Sequence, residues 1–177
     1  MHSDNSVEVR YYNQPSNFIH RAAFSVTGDI GFESGDGVSA FGSGSGGPEQ
    51  NFISGMVCNR LWMKNDHYGW TFGGGFIHNP GRYLVLLPTG VAQTLWDTSP
   101  GTQFNGWDIS TTFDWMPDEY QTWRIELVHR EANVPYFAGR DGVTSPDGYT
   151  TTPLPEGWKP DQVKAETRII LALLFRF

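Results

Sequence analysis

The segment 107–130 alternates apolar and polar side chains with unusual strictness. Its first half places on one side Trp107, Ile109, Thr111, Phe113 and Trp115, and on the other Asp108, Ser110, Thr112 and Asp114. Its second half sets Trp123, Ile125 and Leu127 against Thr122, Arg124, Glu126 and Arg130. Side chains of a β-strand point alternately to opposite faces of a sheet. The pattern therefore predicts two strands, each with one apolar face, joined by a tight turn at 116–119.

The last thirteen residues, 165–177, show the same alternation and end on the aromatic residue Phe177. An apolar final strand with a terminal Phe is typical of bacterial outer-membrane β-barrels, in which it resembles the signal read by the barrel-assembly machinery. A last strand of a soluble β-sandwich is the other interpretation. The segment predicts a strand in either case.

Composition supports strands and argues against several classes of function. Aromatic residues make up 15% of the chain and glycine occurs 21 times, a composition that favours strands and turns. The net charge of −7 disfavours a nucleic-acid partner. The sequence has no apolar run as long as a transmembrane helix, so insertion into a membrane would require a barrel. The single cysteine, Cys58, excludes a disulfide within the chain.

Further alternating segments predict about seven strands of roughly 8 to 13 residues, close to the length that a tilted strand needs to cross a bilayer. The segment 51–63 is less regular, and we expect its strand to be covered on both faces. In the segment 70–76, Gly73 and Gly75 share one face, and we expect a bulky group to approach the sheet there.

Short and long connections alternate along the chain. Those at 13–17, 65–68 and 117–119 are short, and those at 34–50, 79–105 and 133–164 are long. Antiparallel neighbours place every second connection at the same end, as in outer-membrane barrels. We therefore predict an all-β fold, an antiparallel up-and-down transmembrane β-barrel. Residues 1–177 would form one domain, the carboxyl-terminal part of a larger barrel, because the strand number is odd and 1–6 lack the basic and apolar parts of a secretion signal.

Five stretches carry a resemblance to a known family. They are Ala-Phe-Ser-Val-Thr-Gly-Asp-Ile-Gly at 23–31, Gly-Ser-Gly-Gly-Pro-Glu-Gln-Asn-Phe at 44–52, Asn-Pro-Gly-Arg-Tyr-Leu-Val-Leu-Leu-Pro at 79–88, Asn-Val-Pro-Tyr-Phe-Ala-Gly at 133–139 and Ala-Leu-Leu-Phe-Arg-Phe at 172–177. Together they resemble the OmpL-like β-barrel porin family of the bacterial outer membrane. The resemblance implies a channel, with no catalytic residue or cofactor to assign.

A porin passes small hydrophilic solutes by diffusion, and its partners are outer-membrane lipid and the barrel-assembly machinery. A homotrimer is a further possible assembly, because trimers are common among general porins. The polar faces of the strands then predict a charged pore lining, formed by Glu8, Arg10, Arg21, Asp29, Glu33, Asp108, Asp114, Arg124, Glu126 and Arg130. Because the signs are mixed, we expect weak ion selectivity.

The opposite faces predict a lipid-facing set. It consists of Phe24, Val26, Trp70, Phe72, Trp107, Ile109, Phe113, Trp115, Trp123, Ile125, Leu127, Phe175 and Phe177. The long loop that contains 133–139 is expected to fold into the channel or to cover its mouth.

The alternative function is a soluble all-β carbohydrate-binding module, because sugar rings stack on Trp faces beside acidic groups such as Asp108 and Asp114. Enzyme chemistry has little support: the five histidines show no metal-ligand spacing, and no serine lies in a Gly-x-Ser-x-Gly motif. The glycines at 42, 44 and 47 match a dinucleotide-binding pattern, but Pro48 follows instead of a helix, so we interpret them as a flexible loop.

Overall fold

The chain folds into one large antiparallel sheet and one small one. Its structure, a computed structural model, describes residues 1–42, 49–80, 83–84, 103–144 and 156–177. The strands are β1 (His2–Asn13), β2 (Ile19–Phe32), β3 (Asn51–Met63), β4 (Tyr68–Asn79), β5 (Phe104–Trp115), β6 (Gln121–Ala132), β7 (Phe137–Ala138), β8 (Gln162–Val163) and β9 (Ala165–Phe175). The predicted all-β class is confirmed. Among these described residues, no helix is long and apolar enough to span a bilayer.

The seven long strands are ordered β1-β2-β3-β4-β5-β6-β9, and β7 and β8 form the separate two-stranded sheet. Every neighbouring pair is antiparallel. The up-and-down antiparallel order agrees with the prediction. The sheet is open, however: its edges are β1 and β9, which do not pair with each other in the described part of the chain.

The connections fall into two groups, at opposite ends of the sheet. Tight turns join β1 to β2, β3 to β4 and β5 to β6, and we call their side the short-turn end. In the turn after β3, Lys64, Asn65 and Asp66 have φ values of 50°, 55° and 68°. Asn and Asp tolerate this left-handed conformation better than other non-glycine residues, which explains why the turn lies there. The longer connections lie at the other side, the long-loop end.

Cross-strand pairing divides the side chains between two faces of the sheet. The polar face carries Asp114 and its partner Arg124, and the apolar face carries Phe113 and its partner Ile125. At the long-loop end of the polar face, Phe104 and Ala132 are buried with Phe137 of β7, and Tyr136 packs against them. The described part of the connection after β6 therefore packs on this end of the polar face, and its place in a channel or at the mouth of one stays a prediction.

Two glycines of β4 lie close against the backbone of the neighbouring strand β3. Gly75 also lines a cavity on the polar face, so the approach of a bulky group to this face stays a prediction. A Cβ at Gly73 would lie 2.5 Å from the carbonyl oxygen of Val57, and one at Gly75 would lie 2.8 Å from that of Gly55. Since both oxygens belong to β3, the backbone of the neighbouring strand occupies this space. The glycines permit close approach of two strands.

Candidate functional site

The register places the predicted pore-lining residues on the polar face, with one exception. Directly opposed partners on neighbouring strands, such as Asp108 and Arg130, point to the same face of the sheet. The predicted residues that lie inside strands and share this face are Glu8, Arg10, Arg21, Asp29, Asp108, Asp114, Arg124, Glu126 and Arg130. Glu33 lies just beyond β2, where its amide donates to the carbonyl of Gln50. A shared face agrees with the alternation argument, but the pore-lining role stays a prediction.

A buried ion cluster lies on the polar face at the short-turn end. Asp114 is fully buried. Its Oδ1 accepts a hydrogen bond from Nε of Arg124 at 2.6 Å, and its Oδ2 accepts from Nη2 of Arg124 at 3.0 Å and from Nη2 of Arg60 at 2.8 Å. Arg60 also donates through Nη1 to the Thr71 hydroxyl at 2.8 Å. One carboxylate thus joins arginines from β3 and β6 across the two strands between them.

The cluster continues toward β2 through an aromatic side chain. The guanidinium of Arg21 lies 4.4 Å from the ring centroid of Trp62, and that of Arg60 lies 5.3 Å from it. Arg21 also donates to Oδ1 of Asp66 in the turn after β3, at 2.8 Å. Cation–π contacts of this kind hold arginine side chains in place without neutralising their charge.

Carboxylates dominate the other half of the polar face. Asp29 accepts a hydrogen bond from the Ser54 hydroxyl at 2.6 Å, and Asp108 accepts one from the amide of Gly75 at 2.8 Å. Arg130 lies 3.4 Å from Glu166, and its cross-strand partner Asp108 forms no ion pair among the described residues. Between β5 and β6, a cross-strand ion pair is therefore formed at Asp114 and Arg124 and is absent at Asp108 and Arg130.

The two ends of the polar face consequently differ in charge. Toward the short-turn end lie Arg10, Arg21, Arg60 and Arg124 with Asp114 and Glu126, whereas toward the long-loop end lie Asp4, Asp29, Asp108 and Glu166 with Arg130. Charged groups in a shared, partly enclosed space influence mobile ions more strongly than isolated surface charges do. The face offers a positive region and a negative region to any solute beside it.

A cavity of about 380 Å³ lies at the negative end, between the sheet and the connection after β6. Its polar groups include Asp29, Ser54, Asp108 and Arg130, and the aromatic rings of Phe104, Tyr136 and Phe137 form another part of its wall. Burial raises the pKa of the Tyr136 hydroxyl, and the nearby charge of Arg130 opposes the shift only in part. Tyr136 is therefore neutral at physiological pH.

The apolar face is exposed over its whole width. The predicted lipid-facing residues of the strands lie on it, and many are about half exposed, such as Ile109 at 58% and Ile125 at 48%. Phe24 on this face is less exposed, because Tyr11 packs beside it with ring centroids 6.2 Å apart. Phe177 lies beyond the end of β9 and is fully exposed. Contact with lipid stays a prediction for all of them.

Aromatic residues lie toward both ends of the apolar face, with aliphatic residues between them. At the short-turn end Trp115 stacks on Trp123, with 6.3 Å between ring centroids. At the long-loop end Trp107 lies 5.5 Å from the ring of His129. Ile109 and the neighbouring row of Thr111, Leu127 and Ile169 occupy the intervening space.

Sequence reasoning missed several residues of the polar face. Arg60 and Trp62 lie two residues apart in β3, so that alternation places them on one face, but the apolar residues on both sides of that strand obscured the pattern. Glu166 lies in the last strand, where alternation indicates its face but not its partner. Tyr136 lies in a connection, where alternation gives no information about contacts.

No family model, curated protein or solved structure matches this chain. The resemblance to OmpL-like porins therefore stays a hypothesis. Parts of two stretches that carry it, at 44–48, 81–82 and 85–88, lie outside the described residues, as do the glycines at 44 and 47.

Proposed function

We propose that this chain forms part of the wall of a porin-like channel in the bacterial outer membrane, through which small hydrophilic solutes diffuse passively. The observation that carries this proposal is the contrast between the two faces of one sheet. An apolar face with aromatic residues near both ends suits contact with a bilayer, and a charged face suits contact with water.

The size of the exposed apolar face argues for a lipid environment. Soluble monomers rarely expose contiguous apolar patches larger than a few hundred Å². Here exposed apolar side chains continue from Val7 on β1 to Leu171 on β9, and no second layer covers them among the described residues. Burial in hydrocarbon removes this surface from water, and each strand of 11 to 14 residues is long enough to cross at a tilt.

The open edges set a condition on the complete channel. Because five strands of alternating direction lie between them, β1 and β9 run in the same direction. An antiparallel barrel that contains this sheet therefore needs an odd number of further strands between these two edges. Membership of the OmpL-like family, as the carboxyl-terminal part of a larger barrel, would meet this condition.

A soluble carbohydrate-binding module is the second candidate. The exposed stacked pair of Trp115 and Trp123 favours it, because sugar rings stack on such surfaces. In such a module we expect the rest of the apolar face to be buried in the protein core.

Membrane extraction separates these two functions. We expect the expressed chain to remain with bacterial membranes in buffer and at high salt, to be released only by detergent, and to migrate faster on gels before boiling than after. Ile125→Arg on the apolar face should abolish membrane association, and Glu126→Arg on the polar face should preserve it. A chain that is monomeric and cooperatively folded in plain buffer would disprove the porin proposal.

A further inference from the structure

Passive diffusion gives no role to the cavity at the long-loop end of the polar face. Its walls come from several strands of the large sheet and from the connection after β6, so one side is polar and another is aromatic. A volume of about 380 Å³ is large enough for a small organic molecule. The chemistry of the walls indicates which class of molecule fits.

The carboxylates of the cavity are only partly satisfied. Asp29 uses Oδ2 to accept from Ser54 at 2.6 Å, and Asp108 uses Oδ1 to accept from the amide of Gly75 at 2.8 Å. An ionised carboxylate accepts several hydrogen bonds, so each retains capacity on its other oxygen. Neither carboxylate forms an ion pair within the described ranges.

The one basic residue of the wall does not neutralise them. Arg130 lies 3.4 Å from Glu166, and the side chain of Glu166 is only 10% exposed. Glu166 also accepts a hydrogen bond from Nε of Arg168 at 2.7 Å, so its charge is shared between two arginines. Asp29 and Asp108 outnumber Arg130, the single basic residue that lines the cavity, and they leave an excess of negative charge there. Asp4, which pairs with Asp29 across β1 and β2, adds to that excess near the cavity.

Another part of the cavity wall is aromatic. The ring of Tyr136 meets those of Phe104 and Phe137 edge to face, with centroids 4.9 and 5.4 Å apart. Aromatic faces attract cations, and an apolar wall excludes water from the ligand's carbon atoms. A cavity lined by both carboxylates and aromatic rings is complementary to a cation with an apolar body.

We propose that this cavity binds a small organic cation, an amine or a quaternary ammonium compound with a compact apolar body. The inference rests on the proposed channel function and deepens it, because it names the class of solute that binds at the long-loop end of the pore. An anion is disfavoured by Asp29 and Asp108. A neutral sugar would leave their charge without a counterpart.

Choline is a suitable probe, because 3,3-dimethyl-1-butanol has nearly the same shape without the charge. The full chain, purified in a polyoxyethylene detergent that has neither choline nor sugar in its head group, is titrated with each compound by calorimetry. We expect saturable choline binding, and affinity for the uncharged compound at least tenfold weaker.

Variants test the location of the site. Asp29→Asn combined with Asp108→Asn should weaken choline binding at least tenfold, and Asp108→Glu alone should keep most of it. Glu126→Gln, on the polar face but outside the cavity, is the matched control and should bind like the original chain. Gel migration before boiling verifies that each variant is folded.

Three results would overturn the site: no saturable choline binding, equal affinity for the uncharged compound, or full affinity in the folded double variant. Binding of glucose in place of choline would also overturn it and would favour the carbohydrate module. Calorimetry does not require a closed pore, so it tests the site separately from the channel. If the chain fails the membrane-extraction test but still binds choline, the channel proposal is disproved and the binding site is supported.

Discussion

Asp114 of β5 and Arg124 of β6 are direct cross-strand partners joined by two hydrogen bonds, of 2.6 and 3.0 Å. The carboxylate is fully buried, whereas about a third of the Arg124 side chain is exposed, at 36%. A second arginine, Arg60, reaches the same carboxylate from β3 at 2.8 Å. The negative charge of Asp114 therefore neutralises part of the positive charge of two arginines that would otherwise repel each other.

Asp114→Asn tests the importance of this cluster. The amide keeps the shape but loses the charge, so it leaves both guanidiniums without a counter-ion in a partly buried place. Since the arginines are partly solvated, we expect the free energy of unfolding to fall by about 2 kcal/mol. Urea titration of the refolded chain in detergent micelles measures it. Glu8→Gln, at an exposed position of the same face, should change stability by less than about 0.5 kcal/mol.

Alternation predicted the faces well because it depends only on the geometry of a strand. Trp107 through Trp115 and their partners on β6 lie on the faces that their spacing indicates. The same argument fails where a strand is irregular. The register shifts between Arg10 and Tyr12, so that Tyr12 pairs with Ala22, and a bulge of this kind leaves no clear mark in the sequence.

Contacts between distant segments also could not be predicted from alternation. We expected β3 to be covered on both faces, yet only Phe52, 3% exposed, is covered, by the ring of Tyr83 with 5.6 Å between centroids. On the other face Val57 is 53% exposed. The partner of Phe52 comes from the connection after β4, and its position depends on tertiary packing rather than on the residues of β3.

Adjacent positions in β3 can report the surroundings of the two faces. Cys58, the only cysteine, pairs with Ser25 on the polar face, and Val57 pairs with Val26 on the apolar face. Nitroxide labels at Cys58, and at Val57→Cys in a Cys58→Ser background, are compared by electron paramagnetic resonance in lipid vesicles. We expect the label at 57 to collide mainly with oxygen, which is concentrated in lipid, and the label at 58 mainly with a water-soluble nickel complex.

The two labels also distinguish lipid contact from a buried core. A label at 57 that is shielded from both reagents would indicate a covered apolar face and would contradict the bilayer interpretation. Cys58 is partly exposed in the unmodified chain, so its label is the internal reference for the polar face.

Gly73→Ala is expected to destabilise the sheet. Its Cβ would lie 2.5 Å from the carbonyl oxygen of Val57 and 2.7 Å from Sγ of Cys58, so β3 and β4 would have to separate. We predict a loss of about 1–3 kcal/mol in the free energy of unfolding, measured by urea titration. Gly28→Ala is the matched control, because the nearest atom to its Cβ, the carbonyl oxygen of Ser54, is 3.9 Å away. If the two variants lose the same free energy of unfolding, the close approach of β3 and β4 does not explain why glycine occupies position 73.

The raised pKa of Tyr136 predicts how the connection after β6 responds to alkali. Burial opposes formation of the phenolate, so the folded state holds this proton to higher pH than the unfolded chain does. The corresponding stability is fully present below the pKa of the unfolded tyrosine, and it is lost as pH rises through the folded pKa. We therefore expect the packing of Tyr136 on Phe104 to loosen only in strong alkali.

Spectrophotometric titration near the phenolate absorption band checks this expectation. Among the seven tyrosines, the component that ionises last should disappear in Tyr136→Phe, and the remaining curve should be unchanged. The Phe side chain keeps the aromatic packing, so this variant should also lose less stability with rising pH than the original chain. If the substitution removes an early component instead, Tyr136 is solvated, and the connection does not hold its ring against the polar face.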